Sequence, residues 1–338
     1  MLKLGLYSSI ANPPNGDDLH RCTAEALAEA ELAEACGFEA FFFGEHHQDR
    51  DGFLPSPLML CAAVAARTRS IRIGTSVLLL PLHHPIQVAE DVATLDIISN
   101  GRAVLGVGLG YQEADFRAFG VDQSRRVPRF EEAIDIIRRA WTGETFSYHG
   151  REFHMDDVQI LPRPIQRPGP PIWIGGWIPP AVARAARLGD AWVTGPSMNL
   201  EDTKALADRY RDDARAQGSD PEIVLMRDAW VAPTREEAER VYGPEVLTAY
   251  RYYWRNRAVA FQSIETDDAF TLDNLVHDRV IMGTPEMCVQ QFHRWSESLP
   301  TGLALLRLRH AHSGGPPHKA IMETIERFGR DVIPDLCD

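Results

Sequence analysis

Short apolar runs alternate with longer amphipathic stretches along this chain. Residues 2–7, 38–43, 71–80, 103–110, 171–175, 191–194, 223–231 and 303–308 are rich in aliphatic and aromatic side chains. Runs of that length, apolar on both faces, suit strands covered on both sides. Between them the spacing becomes helical, over about 19–36, 56–67, 84–98, 127–141, 180–188, 202–217, 235–262, 284 onward and 318–330. Gly37 and Asn100-Gly101 stand where helices should stop, and Pro85 where one should start.

A strand followed each time by a helix implies parallel strands joined by right-handed crossovers. Eight such units suit a closed (β/α)8 TIM barrel better than a doubly wound sheet. We expect one α/β barrel domain over residues 1–338, with two insertions where the rhythm breaks. Residues 145–171 are polar and proline-rich, with a small hairpin over 145–154 turning at His149-Gly150. Residues 263–280 are loose, and a long loop in a compact domain suggests a lid over the barrel mouth.

Composition narrows the function more than the fold. The chain is 44% apolar and 25% charged, as soluble globular proteins are. A net charge of −13 speaks against nucleic acid or an anionic membrane as main partner, and still permits a local basic pocket. The cysteines (Cys22, Cys36, Cys61, Cys288, Cys337) show no C-x-x-C spacing and read as reduced thiols. The opening residues make a strand rather than a signal peptide, and no apolar run approaches the roughly 20 residues of a membrane span, so a cytoplasmic protein is expected.

In a barrel the carboxyl ends of the strands converge on one face, where ligands bind. The residues to weigh there are Tyr7-Ser8, Glu45-His46-His47, Ser76-Val77, Gly108-Leu109-Gly110, Gly175-Gly176-Trp177, Thr194-Gly195, Arg227-Asp228, His310 and His312. The apolar run Phe41-Phe42-Phe43 stops abruptly at Glu45-His46-His47, which cannot be buried without partners. His46 there suits a general acid/base, a structural histidine or a metal ligand. Neighbouring residues point in different directions, which makes poor chelate geometry, and metal-dependent barrel hydrolases usually place His-x-His where this chain has Tyr7-Ser8-Ser9. No metal site is expected.

Gly175-Gly176 could bring backbone N–H groups to a phosphate, or simply make a turn. Gly106, Gly108 and Gly110 have no helix directly after them, so a dinucleotide fingerprint is excluded; they are expected to make room for a planar ring. His83-His84-Pro85 should start a helix with its imidazoles in solvent. Glu90, Asp96 and Arg102 read as a structural ion network. Tyr250, Tyr252, Tyr253 and Trp254 read as core packing, or as cover for a bound ring.

Several stretches together resemble a known superfamily. They are Gly37-Phe38 with Glu45-His46-His47, and Leu80-Pro81-x-x-His84-Pro85 with Ala89-Glu90-Asp91, Leu95-Asp96, Ser99 and Gly101-Arg102. Phe116-x-x-Phe119-Gly120, Leu161-Pro162-x-Pro164, Pro171-Ile172-Trp173-Ile174-Gly175-Gly176 and Gly283-Thr284-Pro285-Glu286 complete the set. In order and spacing the chain resembles the bacterial luciferase-like flavin-dependent monooxygenases and related oxidoreductases.

That resemblance implies a barrel binding FMN at its mouth. Reduced FMN from a separate flavin reductase reacts with O2 to a flavin hydroperoxide, which oxygenates a small organic substrate. His46 would be the acid/base residue, and a non-proline cis peptide is implied at Ser76–Val77. The cofactor positions expected on the rim are Tyr7, Ser76, Val77, Gly108, Gly110, Gly175, Gly176, Trp177, Ile178 and Thr194, the phosphate lying against Gly176, Trp177 and Ile178. A homodimer is also implied. Leu109 replaces a luciferase-type arginine, and Pro179-Pro180 removes N–H donors near the phosphate. A branch of the superfamily uses the deazaflavin F420 for hydride transfer without O2, which makes an F420-dependent oxidoreductase the alternative. Further from the pattern stand a metal-dependent barrel hydrolase and a non-catalytic flavin-binding subunit.

Overall fold

A computed structural model describes residues 1–13, 15–50, 53–220, 222–255, 259–261, 264–275, 278–310 and 313–336. The strands are β1 (Lys3–Ser8), β2 (Ala40–Phe43), β3 (Arg72–Thr75), β4 (Leu78–Leu79), β5 (Ala103–Gly108), β6 (Phe146–His149), β7 (His154–Val158), β8 (Ile172–Gly175), β9 (Ala191–Val193), β10 (Glu222–Val231), β11 (Val280–Gly283) and β12 (Leu303–Arg307). Parallel pairings run β12–β1–β2–β3–β5–β8–β9–β10, and β10 returns to β12, so eight strands close a barrel. This is the expected (β/α)8 architecture.

The helices are α1 (Leu19–Ala35), α2 (Pro57–Arg67), α3 (Pro85–Ser99), α4 (Glu113–Ala118), α5 (Arg126–Trp141), α6 (Pro179–Leu188), α7 (Leu200–Arg215), α8 (Arg235–Arg255), α9 (Leu272–Leu275), α10 (Pro285–Ser298), α11 (His318–Asp331) and α12 (Ile333–Leu336). None of the described helices is long and apolar enough to cross a membrane.

Alternation along the strands divides the buried side chains into two sets. Leu4, Leu6, Phe41, Phe43 and Ile73 face the helices. Tyr7, Phe42, Val104, Trp173, Met226 and Leu305 fill the barrel. Phe42 and Trp173 stack across the interior at 4.9 Å and 11°, a plug beneath the mouth.

Three expectations change. The run 71–80 is not one strand: it breaks after Thr75 and resumes as β4 beside β5. The hairpin extends past 154, because β7 continues to Val158 against β6. The stretch 263–280 is not loose where described. It holds a turn at Asp267–Ala269 and α9, packs Phe270 on Trp254, and leads into β11 beside Asp228–Val231 of β10. Residues 263, 276 and 277 of that stretch lie outside the described residues.

Candidate active site

Gly44 follows β2 at the rim, and the next three side chains diverge. Glu45 turns away from solvent toward the end of β3. Its Oε1 accepts hydrogen bonds from His47 Nε2 at 2.9 Å and His83 Nε2 at 2.7 Å, and its Oε2 accepts from the Leu79 N–H. The Glu45 N–H donates to Val77 O at 3.2 Å, so this residue grips the Ser76–Leu79 segment from both sides. Burial opposes ionisation of the carboxyl, but the hydrogen bonds from His47 and His83, the nearby charge of His83 and the Leu79 N–H outweigh it and bring its pKa down to about 2. Burial likewise disfavours charge on His47, while Glu45, Asp115 and Asp49 outweigh it and raise its pKa. His83 was expected to meet solvent at a helix start; the Glu45 carboxylate, 38 residues earlier in the chain, captures it instead. His84 does cap its helix, Nδ1 accepting the Ile86 N–H at 3.3 Å.

His46 points elsewhere. Its ring is one-fifth exposed, stacks on Phe53 at 4.1 Å and 20°, and brings Nδ1 within 3.9 Å of Asp49. Its backbone N–H donates to Leu54 O at 2.9 Å. The adjacent Glu45 and His47 therefore form a charged support, and His46 is the member of the triplet partly open at the rim. No three His, Cys, Asp or Glu side chains among the described residues are arranged to hold a metal ion.

Beside this support the chain leans across the mouth. The Ser76–Val77 peptide is cis. A Cβ on Gly106 would strike Thr75 O at 1.9 Å, and one on Gly108 or Gly175 would strike Val77 at 2.5 or 2.9 Å. Gly106 and Gly108 were expected to make room for a ring, and Gly175 to bring a backbone N–H to a phosphate or simply to make a turn. They make room for Thr75–Val77, which becomes a low shelf spanning β3 to β8. Ser76 Oγ is buried on that shelf with no hydrogen-bond partner among the described residues. An unsatisfied buried hydroxyl is uncommon in native proteins. A flat heteroatom-edged ring laid on the shelf fits both features.

The phosphate end fits less well. Trp177 and Ile178 are partly exposed beside Gly175-Gly176, with Trp177 packed over Gly195. Pro179 and Pro180 open α6 without N–H groups, and the next two, from Ala181 and Val182, already donate to Ile178 O. Donors there reduce to Gly176, Trp177 and Ile178. Gly110 turns the chain after β5 at φ +71°. Thr194 directly follows β9 and is buried. It faces the β9–β10 seam, where Oγ1 accepts the Met226 N–H at 3.0 Å.

Across the mouth stand Tyr7, Asp228 and Arg307, in register on β1, β10 and β12. Asp228 accepts from Arg307 Nε at 2.5 Å, Arg307 Nη2 at 2.9 Å and Tyr250 Oη at 2.8 Å, and lies 3.1 Å from His310 Nε2. Burial opposes its charge, yet Arg307 and His310 hold the carboxyl well below the usual range. Tyr242 donates to Arg307 O. Sequence reading missed Asp228 and Arg307 as a pair. A usable signal was present: Val224-x-Met226-x-Asp228 and Leu303-x-Leu305-x-Arg307 carry the inward face onto charged residues. Arg227, one residue away, faces outward with its guanidinium 3.7 Å over Trp295. His312 lies outside the described residues.

Two structural expectations also resolve. Arg102 forms no ion network with Glu90 and Asp96; it donates to the carbonyls of Ala65, Thr68, Ile71 and Ser99, closing the end of α2. Asp96 instead holds Gln166. Of the aromatic cluster, Tyr250 is core, and Tyr253 lies within electrostatic reach of Tyr7 and Arg307.

Comparison with known proteins decides the family. The profile of the luciferase-like monooxygenase family matches residues 3–302. The chain belongs to that family. The chain spans about six tenths of the length of the first curated relatives it matches. One is the oxygenase component of a flavin-dependent trigonelline monooxygenase of Acinetobacter baylyi, 29% identical over 68% of this chain and 64% of that one. An F420-dependent glucose-6-phosphate dehydrogenase of Microbacterium testaceum is 28% identical over 92% and 93% of the two chains. The crystal structure of monooxygenase RslO1 from Streptomyces bottropensis superposes with a TM-score of 0.85, at 27% identity over 99% and 100%. The relatives include both monooxygenases and F420-dependent dehydrogenases.

Proposed function

We propose that this luciferase-like protein is a monooxygenase that uses reduced FMN and O2 to oxygenate a small organic substrate. The observation that carries this reading is the Ser76–Val77 shelf, with its unpartnered Ser76 hydroxyl, braced by Glu45 and flanked by His46. Bound reduced FMN supplies the electrons for O2 activation. The chain's own residues do the rest. The Gly108 and Gly175 positions keep the shelf low, Ser76 Oγ offers a hydrogen bond to the ring edge, and Glu45 holds the segment still. His46, oriented by stacking on Phe53, moves a proton at its ring nitrogen during the oxygen chemistry. Gly176, Trp177 and Ile178 supply the remaining backbone donors for a phosphate.

A separate reductase that delivers reduced FMN belongs to this proposal, since the trigonelline relative is the oxygenase component of its monooxygenase. So does a homodimer, supported by exposed Met59, Ile97 and Ile98 on neighbouring α2 and α3. The lid role of 263–280 remains part of the reading, since water exclusion limits wasteful loss of activated oxygen. A second reading, F420-dependent hydride transfer without O2, is favoured by the relative matched over nine tenths of both chains. Titration with both reduced cofactors separates the two. Under the first reading reduced FMN binds more tightly, and His46→Ala lowers substrate-dependent oxygen consumption by about 100-fold or more. Tighter F420 binding, or unchanged consumption in His46→Ala, rejects it.

A further inference from the structure

Two residues past His46 the backbone takes a costly turn. The chain bends at Gln48 with φ +60°, in the left-handed region. A β-carbon is crowded there, and asparagine or aspartate tolerates the position better than glutamine does. Among the described residues the other non-glycine cases are Asn100 and Asp157. Asn100 caps the end of α3, and Asp157 sits where the β6–β7 register shifts. Gln48 belongs to neither a helix end nor a strand. It stands exposed at the rim, so burial does not hold it either. Strain of this kind persists only where neighbours fix it, and it gathers at functional sites.

A hydrogen bond from the side chain supplies the fixing. Gln48 Nε2 donates to Asp115 Oδ1 at 3.0 Å. Asp115 lies on α4 and is 2% exposed. His47 leans on the same segment: its ring is 4.6 Å from that of Phe119, just past α4, and Asp115 favours its charge. The segment is itself anchored. Phe116 is buried, and a Cβ on Gly110, just past β5, would stand 3.3 Å from its ring. On the other side of His46, Glu45 grips Val77 and Leu79. His46 is therefore held between two clamps, with its ring resting on Phe53 at 4.1 Å and 20°.

We propose that Gln48 is a positioning residue for His46: its left-handed bend, locked by Asp115, sets the imidazole against Phe53 at the rim. The lock needs an acceptor oxygen at position 115 and does not need its charge. The purpose of this placement rests on reading His46 as the group that moves a proton. The placement itself does not, and the two are tested apart.

Histidine-ring NMR on the full chain, with His46 assigned by its loss in His46→Ala, reads the placement without flavin. Protons over the face of a phenyl ring move upfield, so the stacked His46 should show an upfield-shifted ring proton in wild type. Gln48→Gly suits the bend and keeps the fold, but removes the side chain that locks it, and the upfield shift should be lost. Asp115→Ala should lose it as well. Asp115→Asn keeps an oxygen that can accept from Gln48 and should retain it. Substrate-dependent oxygen consumption with reduced FMN should fall about tenfold or more in Gln48→Gly, because a displaced group loses its alignment. No upfield shift in wild type, a shift kept in Gln48→Gly or Asp115→Ala, or one lost in a folded Asp115→Asn overturns the proposal. A ring displaced in Gln48→Gly with oxygen consumption unchanged leaves the positioning standing and rejects His46 as the proton carrier.

Discussion

Replacing Glu45 by glutamine keeps the volume of the side chain and removes the charge that His47, His83 and the Leu79 N–H share. The carboxyl pKa falls from an ordinary 4.5 to about 2 in the folded chain. At about 1.4 kcal/mol per pH unit, its ionised form contributes about 3 kcal/mol to stability. The pKa is depressed by folding, so this contribution is present above pH 4.5 and is lost as pH falls toward 2. About 1 kcal/mol should remain at pH 3. With an unfolding entropy of about 2.1 cal/mol/K per residue, the 338-residue chain should lose about 4 °C in Tm near pH 6. His47 adds an opposite limb. Its pKa is raised, so its contribution is complete below pH 6.5 and declines as pH rises through the folded value. Thermal or urea unfolding of wild type and Glu45→Gln between pH 3 and 8 gives both limbs. The gap should be widest at pH 5–6 and narrow toward pH 3. A gap of equal size at pH 3 and pH 6, or none at pH 6, would refute the assignment of Glu45 as a charged brace.

Ser76→Ala removes a hydroxyl that has no partner among the described residues, so stability should stay within about 0.5 kcal/mol while flavin affinity drops; melting and flavin titration check the two halves, and unchanged affinity removes Ser76 from the site. Gly44→Ala would place a Cβ 2.2 Å from the Tyr7 hydroxyl oxygen, and a loss of about 1–3 kcal/mol is expected. Adding Tyr7→Phe should recover much of that loss, and strictly additive effects in the double mutant would show that the two residues do not clash. His46→Ala should fold normally and fail in substrate-dependent oxygen consumption, with normal turnover as the contrary result.

The barrel was legible because each strand is a dense apolar run and each helix carries its own stops, such as Gly37 and Asn100-Gly101. Local pattern fails where tertiary pairing decides. Residues 71–80 look uniformly strand-like, and only the β5 glycines reveal that the chain steps sideways at Ser76–Val77. Val280–Gly283 is a strand because β10 is long enough to accept a third neighbour, a fact outside its own four residues. Glu45-His46-His47 marked where the chain surfaces after β2, but its division of labour depends on His83, which lies nearly 40 positions along and is hydrogen-bonded only in three dimensions. Asp228 and Arg307 sat on strands read as apolar, where period two already carried charge inward.

Direct titration of the purified chain with reduced and oxidised FMN and F420 bears on everything above. A bound cofactor near one per chain, weakened by Ser76→Ala and by Glu45→Gln, is the predicted result. Failure of wild type to take up any of the four, under conditions where it is folded, would contradict a flavin site on the Ser76–Val77 shelf.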